Sequence, residues 1–226
     1  MKPQPFTVHR GIAAPLLTRN IDTDTIIPSR KIQRVSKQGL GDGLFAGWRY
    51  RAPDSREPDP EFILNRDGYR DASILLAGAN FGCGSSREHA VWALGEFGIR
   101  AVLAPSFGSI FRNNCTLNGI LAVALKDSTI RTLADWVQTD PRSNQLQIDL
   151  QNQVIEWKVG GTLAFEIEPA KRRLLLQGLD GIAVTLQRTS AIDEFEVADR
   201  AVRPWVYRLP EPPIAQPGNR PGNRGP

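Results

Sequence analysis

Two short stretches hold the side chains best able to do chemistry. Residues 80 to 94, NFGCGSSREHAVWAL, set one of the chain's two cysteines and one of its two histidines beside paired serines and an arginine. Such a stretch could be a phosphate cradle, a metal site, a capped helix or the base of an enzyme. Residues 20 to 30, NIDTDTIIPSR, carry Asp22 and Asp24 two positions apart. In an extended segment both carboxylates point the same way, at a metal or a substrate. In a turn they bond their own backbone instead, as Asp and Thr commonly do. Asp24, beside the apolar TII that reads as a strand, is the stronger functional candidate.

The common motifs fail on particular residues. A dinucleotide fingerprint G-x-G-x-x-G fits Gly82 and Gly84 but meets Arg87 where the third glycine belongs, and no acid follows at the expected distance. A Walker loop begun at Gly78 meets Cys83 at its second glycine. Cys83, Cys115, His9 and His89 match no zinc-ligand spacing, and an iron–sulfur cluster needs more cysteines than two. No metal site is expected on this chain, and Cys83 reads as a small residue packed under a glycine turn.

Ser85-Ser86-Arg87-Glu88 also spells S-x-x-E, the capping box, in which Ser85 would cap a helix and Glu88 would reach back to it. That accounts for Ser85 and Glu88 but not for Gly82 and Gly84, which suggest a close backbone approach. Nor does it account for Arg87, because a cation in the first turn opposes the helix dipole. Such an arginine gathers positive potential for an anion such as a carboxylate. On the residues alone, a structural cap and an anion-binding or catalytic turn both stand. His89 reads as an ordinary first-turn histidine.

The elements that must position these residues alternate in type. SILLA (73 to 77), AVLA (101 to 104) and ILAVAL (120 to 125) read as buried strands, and 86 to 97 and 106 to 114 as helices between them. Short connections imply parallel pairing and an α/β domain. LQIDL and VIEWKV alternate as a hairpin across QNQ, so the sheet is mixed, and Glu168 to about Val197 reads as mostly helical. GLGDG (39 to 43) and APDSREPDP (52 to 60) read as loops. One domain is expected over 1 to 198, and a disordered Pro/Gly-rich tail over 204 to 226, which contains a tandem PGNR.

Composition narrows the function classes. With 226 residues, 41% of them hydrophobic, the chain can bury a core. It has no apolar run of about 18 residues, so no membrane span is expected. The net charge of +4 is spread along the chain, densest at Lys171-Arg172-Arg173, which is not the basic stripe of a nucleic-acid binder. Reduced thiols and a cytoplasmic location are expected. The first 17 residues lack acids, like a transit peptide, but also lack serine and contain three prolines, so they read as a first strand.

NIDTDTIIPSR, ILLAGANFGCGSSREHAVWAL, APSFGSIFRNN with NGILAV, and FEIEPAKRRLLLQGLDGIAVTLQ with AIDEFE occur in that order. Together they resemble the small subunits of 3-isopropylmalate dehydratase (isopropylmalate isomerase), which correspond to the swivelling domain of the aconitase superfamily. The resemblance runs from about residue 6 to 196. It implies a layered β/β/α swivelling domain, a mixed sheet with flanking helices. It also implies half of a hydro-lyase of leucine biosynthesis. The large subunit would carry a [4Fe-4S] cluster, with none on this chain, and the substrate would be a 2-hydroxy diacid. Ser85 would be the catalytic base, Arg87 and Ser86 would bind substrate, and Asp24 would line the site. Lys31, Ile32, Gln33 and Arg34 match the loop that governs substrate choice, where relatives often carry an aromatic–leucine pair. That departure keeps a related hydro-lyase, acting on another diacid, as the alternative. An RNA-binding module that merely keeps the fold is a more distant one.

Overall fold

The computed structural model describes residues 3–32, 38–52, 55–158 and 161–207. Of the tail expected over 204 to 226, residues 204–207 are described and form a helical turn; the remainder, and Gln33 and Arg34, lie outside the described residues. The chain divides into two compact units, Met1–Ala183 and Val184–Pro226.

The first unit is built on one seven-stranded sheet of order β4-β3-β2-β1-β5-β6-β7. Strands β1 (Val8–Leu16), β2 (Ala72–Ala77), β3 (Ala101–Ala104) and β4 (Leu121–Ala124) are parallel. Strands β5 (Leu146–Asp149), β6 (Val154–Trp157) and β7 (Gly161–Ala164) extend the sheet antiparallel. β1 joins the two parts. Residues 8 to 11 pair with β5 and residues 12 to 16 pair with β2, the latter pairing shifting register between Ile12 and Ala13. Pro15 falls in the half whose other edge is open, where a residue without an N–H is tolerated.

Alternation along the parallel strands separates two cores. Leu75, Ala77, Val102, Ala104 and Ala122 face one cluster, and Ile74, Leu76, Ala101, Leu103, Leu121 and Val123 face the other. A parallel sheet buried on both faces needs such continuous apolar strands. Two helical turns, α1 (Thr23–Ile26) and α2 (Ala46–Arg49), lie in the first half of the chain. Helices α3 (Glu88–Phe97) and α4 (Ser109–Leu117) follow β2 and β3; Ala90, Val91, Leu94, Phe111 and Cys115 belong to the first core. Helix α5 (Asp127–Thr139) covers the second core through Ile130, Leu133, Ala134 and Val137. α5 is not among the elements expected from sequence, although that i, i+3, i+4, i+7 spacing is a full amphipathic signal. Helix α6 (Pro169–Gln177) completes the unit, and α7 (Gly181–Leu186) carries the chain across the boundary. In the second unit α8 (Thr189–Val202) runs into a 3₁₀ turn, Pro204–Tyr207, held by a Tyr207 hydroxyl that donates to Asp199 at 2.8 Å.

The mixed sheet and flanking helices agree with the expected aconitase-type α/β domain. Three local expectations are corrected. TII does not form a strand: Thr23–Ile26 is a helical turn capped by Asp22, whose carboxylate accepts from the Thr25 N–H at 2.7 Å. Asp22 takes the turn reading and bonds nearby backbone, whereas the Asp24 carboxylate meets the side chains of Arg87 and Ser29. α3 begins at Glu88, three residues beyond the first serine of the capping box, and its N-cap Arg87 makes no side-chain cap bond. The reason is backbone conformation: Gly82 and Gly84 both sit at positive φ (+70° and +87°) and keep the chain in a turn through Ser85. α4 likewise starts at Ser109 rather than 106, because the chain at 106 to 108 is still paired beside Phe81.

Candidate active site

The connections that leave the carboxyl ends of β1, β2 and β3 stay paired after the strands end. Asn20 N–H donates to Ala79 O at 2.9 Å, Gly82 N–H to Ile21 O at 2.7 Å and Thr23 N–H to Cys83 O at 3.0 Å. On the other side Phe81 N–H donates to Ser106 O at 3.0 Å and Gly108 N–H to Phe81 O at 2.9 Å. This ribbon carries 20 to 24 alongside 79 to 87, at the end of a parallel sheet where open α/β proteins bind ligands.

The serine turn is braced from below. Thr23, 1% exposed, donates its hydroxyl to Ser85 O at 3.1 Å. Thr23 is not among the candidates named from sequence; a threonine between two candidate aspartates is the signal that could have found it. Ser85 and Ser86 are exposed, and their side chains hydrogen-bond to no described residue. Arg87 pairs with Asp24 through Nη1 and Oδ1, and the Ser29 hydroxyl donates to the same carboxylate oxygen at 3.2 Å. The Arg87 side chain is 25% exposed and that of Asp24 52%. A pair this open to water is worth about 0–1 kcal/mol, so an incoming carboxylate can compete for the guanidinium. Asp24 also lines a cleft of about 500 Å³ with Asp22, Ser29, Arg30 and Trp48.

Other candidates turn to structural work. The close approach signalled by Gly82 is to the buried Phe111 ring, not to a ligand: a Cβ there would lie 2.2 Å from Phe111 Cγ. Glu88 accepts from Asn118 Nδ2 at 2.8 Å at the end of α4 instead of reaching back to Ser85. The His89 ring stands edge-on to Trp92 at 4.7 Å. His9 meets the Ser73 hydroxyl at 2.8 Å between β1 and β2; burial, then Arg100, pushes its imidazole below the usual value. Cys83 is half-buried, and Cys115 is fully enclosed, where burial pushes its thiol up. Among the described residues no group of three or more His, Cys, Asp or Glu could hold a metal ion. Two thiols, one of them sealed in the core, do not suit an iron–sulfur cluster on this chain. Lys31 ends a 3₁₀ turn, Ser29–Lys31, and Ile32 packs against the first core.

Comparison with known proteins identifies the family. Residues 3–128 match the aconitase C-terminal domain, and residues 182–208 match the C-terminal domain of 3-isopropylmalate dehydratase small subunits. A 3-isopropylmalate dehydratase small subunit of Cupriavidus necator is 56% identical over 204 residues, covering 90% of this chain and 98% of that one. The chain belongs to the 3-isopropylmalate dehydratase small-subunit family. Its namesake from Agrobacterium fabrum is 50% identical, covering 89% of this chain and 98% of its own. A crystal structure of 3-isopropylmalate dehydratase from Methanocaldococcus jannaschii matches with a TM-score of 0.62 and 26% identity, over 83% of this chain and 98% of that one. Family membership thus spans both the sheet that carries the serine turn and the C-terminal segment. Among the described residues no helix is long and apolar enough to cross a membrane.

Proposed function

We propose that the chain is the base-carrying small subunit of 3-isopropylmalate dehydratase. The enzyme interconverts 2-isopropylmalate and 3-isopropylmalate by dehydration to 2-isopropylmaleate and rehydration, in leucine biosynthesis. One observation carries the reading: an exposed Ser85 hydroxyl lies two residues from Arg87 in a turn braced by Thr23, at the carboxyl end of the parallel strands. On this reading Ser85 removes the proton from the substrate carbon and returns one in the reverse direction. Arg87 exchanges Asp24 for a substrate carboxylate, Ser86 binds beside it, and Asp24 lines the site. Lys31, Ile32, Gln33 and Arg34 contribute to substrate choice.

On this reading the chain supplies a base and an anion grip, and assistance to the departing hydroxide comes from elsewhere. That assistance is assigned to a [4Fe-4S] cluster of the large subunit, whose Lewis acidity would supply it. The two subunits would meet in the cytoplasm. The alternative, a related hydro-lyase small subunit, is favoured by one feature only, the Lys31-Ile32 pair where an aromatic–leucine pair is common.

Co-purification with a cluster-bearing large subunit, then assay against isopropylmalate and other 2-hydroxy diacids, tests the reading. Turnover is expected only in the complex, and best with isopropylmalate. Turnover by this chain alone would overturn the subunit model, and preference for another diacid would favour the alternative. Arg87→Lys retains the charge but loses the two-pronged carboxylate fork. It is expected to raise KM about tenfold, equivalent to roughly 1.4 kcal/mol of binding. An unchanged KM would remove Arg87 from that role.

A further inference from the structure

Glu96 breaks a local rule. It sits in the last turn of α3, where the helix dipole disfavours a carboxylate, and no basic residue accompanies it there. Compensation comes from a distant loop. The N–H groups of Gly39, Leu40 and Gly41 donate to its carboxylate at 2.6, 2.5 and 2.8 Å. Successive backbone N–H groups of this kind form an anion-binding concavity, filled here by the chain's own side chain. Burial alone would raise the Glu96 carboxyl, but the three donors outweigh it and hold it below the ordinary value, so it is ionised at neutral pH.

The same loop is gripped from other sides. Arg49 donates to Gly41 O at 2.8 Å while its guanidinium lies 4.8 Å from the centre of the Phe97 ring. Leu40 and Leu44 are buried. A Cβ on Gly41 would stand 3.4 Å from the α3 backbone, and one on Gly43 would stand 3.1 Å from Lys31 Cβ. The loop therefore lies between the end of α3 and Lys31. It walls a cleft of about 280 Å³ that also includes Arg30 and Arg56. Arg30 lines both this cleft and the larger one beside Asp24.

We propose that Glu96 is a positioning residue for substrate binding: by holding the Gly39–Gly43 loop on α3 it sets the cleft wall beside Arg30 and Lys31. The inference rests on the function proposed above. It makes α3 a rigid link, with the serine turn before its first residue and the anchored loop at its last.

Glu96→Gln keeps the size of the side chain and removes the charge. In the free subunit, amide hydrogen exchange at Gly39, Leu40 and Gly41 is expected to quicken about tenfold or more, as charge-assisted bonds are lost. Unchanged exchange there would overturn the anchor. In the complex with the large subunit, KM for isopropylmalate is expected to rise about fivefold with kcat within about twofold, the pattern of lost binding without lost chemistry. A fall in kcat at constant KM would mean a merely structural role and would overturn the positioning claim. Glu96→Asp retains the charge but shortens the side chain by one methylene; it is expected to quicken exchange at the same three amides by less than the glutamine variant, and if that variant does not fold, exchange in Glu96→Asp equal to wild type would overturn the anchor. A wild-type complex inactive on every diacid would overturn the proposed function and the KM part of this inference, while exchange would still decide the anchor.

Discussion

Ser85→Ala is expected to lower kcat of the reconstituted complex by about 10²–10⁴, the usual contribution of a general base. Assembly and stability should hardly change, because the side chain is exposed and makes no hydrogen bond to a described residue. The magnitude follows from what the hydroxyl needs. A helix N-terminus favours a nearby negative charge by roughly 0.3–2 kcal/mol, and the effect fades within the first turn. Since one pKa unit is about 1.4 kcal/mol, a perfectly placed helix lowers the serine by only about one unit. α3 begins three residues after Ser85, so even that is not fully available. On the proposed function, most of the activation would arise when a large subunit excludes water, backbone donors close on the developing charge and substrate engages Arg87. Donors of that kind contribute about 3–4 kcal/mol each where mutagenesis has removed them. Single-turnover measurement on the purified variant complex checks this. A kcat within a factor of about five of the wild type would place the base elsewhere.

Gly82→Ala carries the largest expected effect on stability. Two terms add. The backbone at φ +70° costs a residue with a side chain roughly 1–2 kcal/mol. The new methyl would also meet Phe111 Cγ at 2.2 Å, and Phe111 is 3% exposed and packed edge-on against Phe81 at 5.4 Å. Overpacking of this kind costs about 1–3 kcal/mol. The total, about 2–5 kcal/mol, is a large share of the roughly 5–15 kcal/mol typical of a folded chain. At roughly 2–4 °C per kcal/mol for a protein of this size, Tm should fall by about 5–20 °C. Gly98→Ala separates the terms, because Gly98 has φ +109° and nothing within 4 Å of its absent Cβ. It should show only the backbone cost. Thermal and denaturant unfolding measure both, and equal losses at the two sites would refute the Phe111 contact as the cause. Shortening the ring as well, in Gly82→Ala with Phe111→Leu, should cost less than the two changes added separately, since the residues touch.

The origin of that glycine illustrates what was legible. Gly82 and Gly84 announced a close approach, but the sequence could not say whether the neighbour was a ligand or the chain itself. The answer lies in α4, whose Phe111 enters the first core from 29 positions further along the sequence.

Local patterns determined a good deal by themselves. Unbroken apolar runs identified β2, β3 and β4, because a strand buried on both faces has no polar side to show. Alternation identified the β5–β6 hairpin, and the GSSR and DTD stretches singled out Ser85, Arg87 and Asp24 as candidates. The pairing of those candidates was decided by tertiary structure. Asp24 and Arg87 are 63 residues apart, and Thr23 and Ser85 are 62 apart. They meet because β1 and β2 run side by side in the same direction, which delivers both connections to one end of the sheet. The helix start moved for a similar reason. A capping box is a local preference worth about 1 kcal/mol, whereas the turn at 82 to 85 is held by hydrogen bonds with Ile21 and Thr23 and by the Phe111 ring. Several long-range contacts outweigh one local cap, and they leave the serine hydroxyl exposed at the mouth of the site instead of turned back into its own helix.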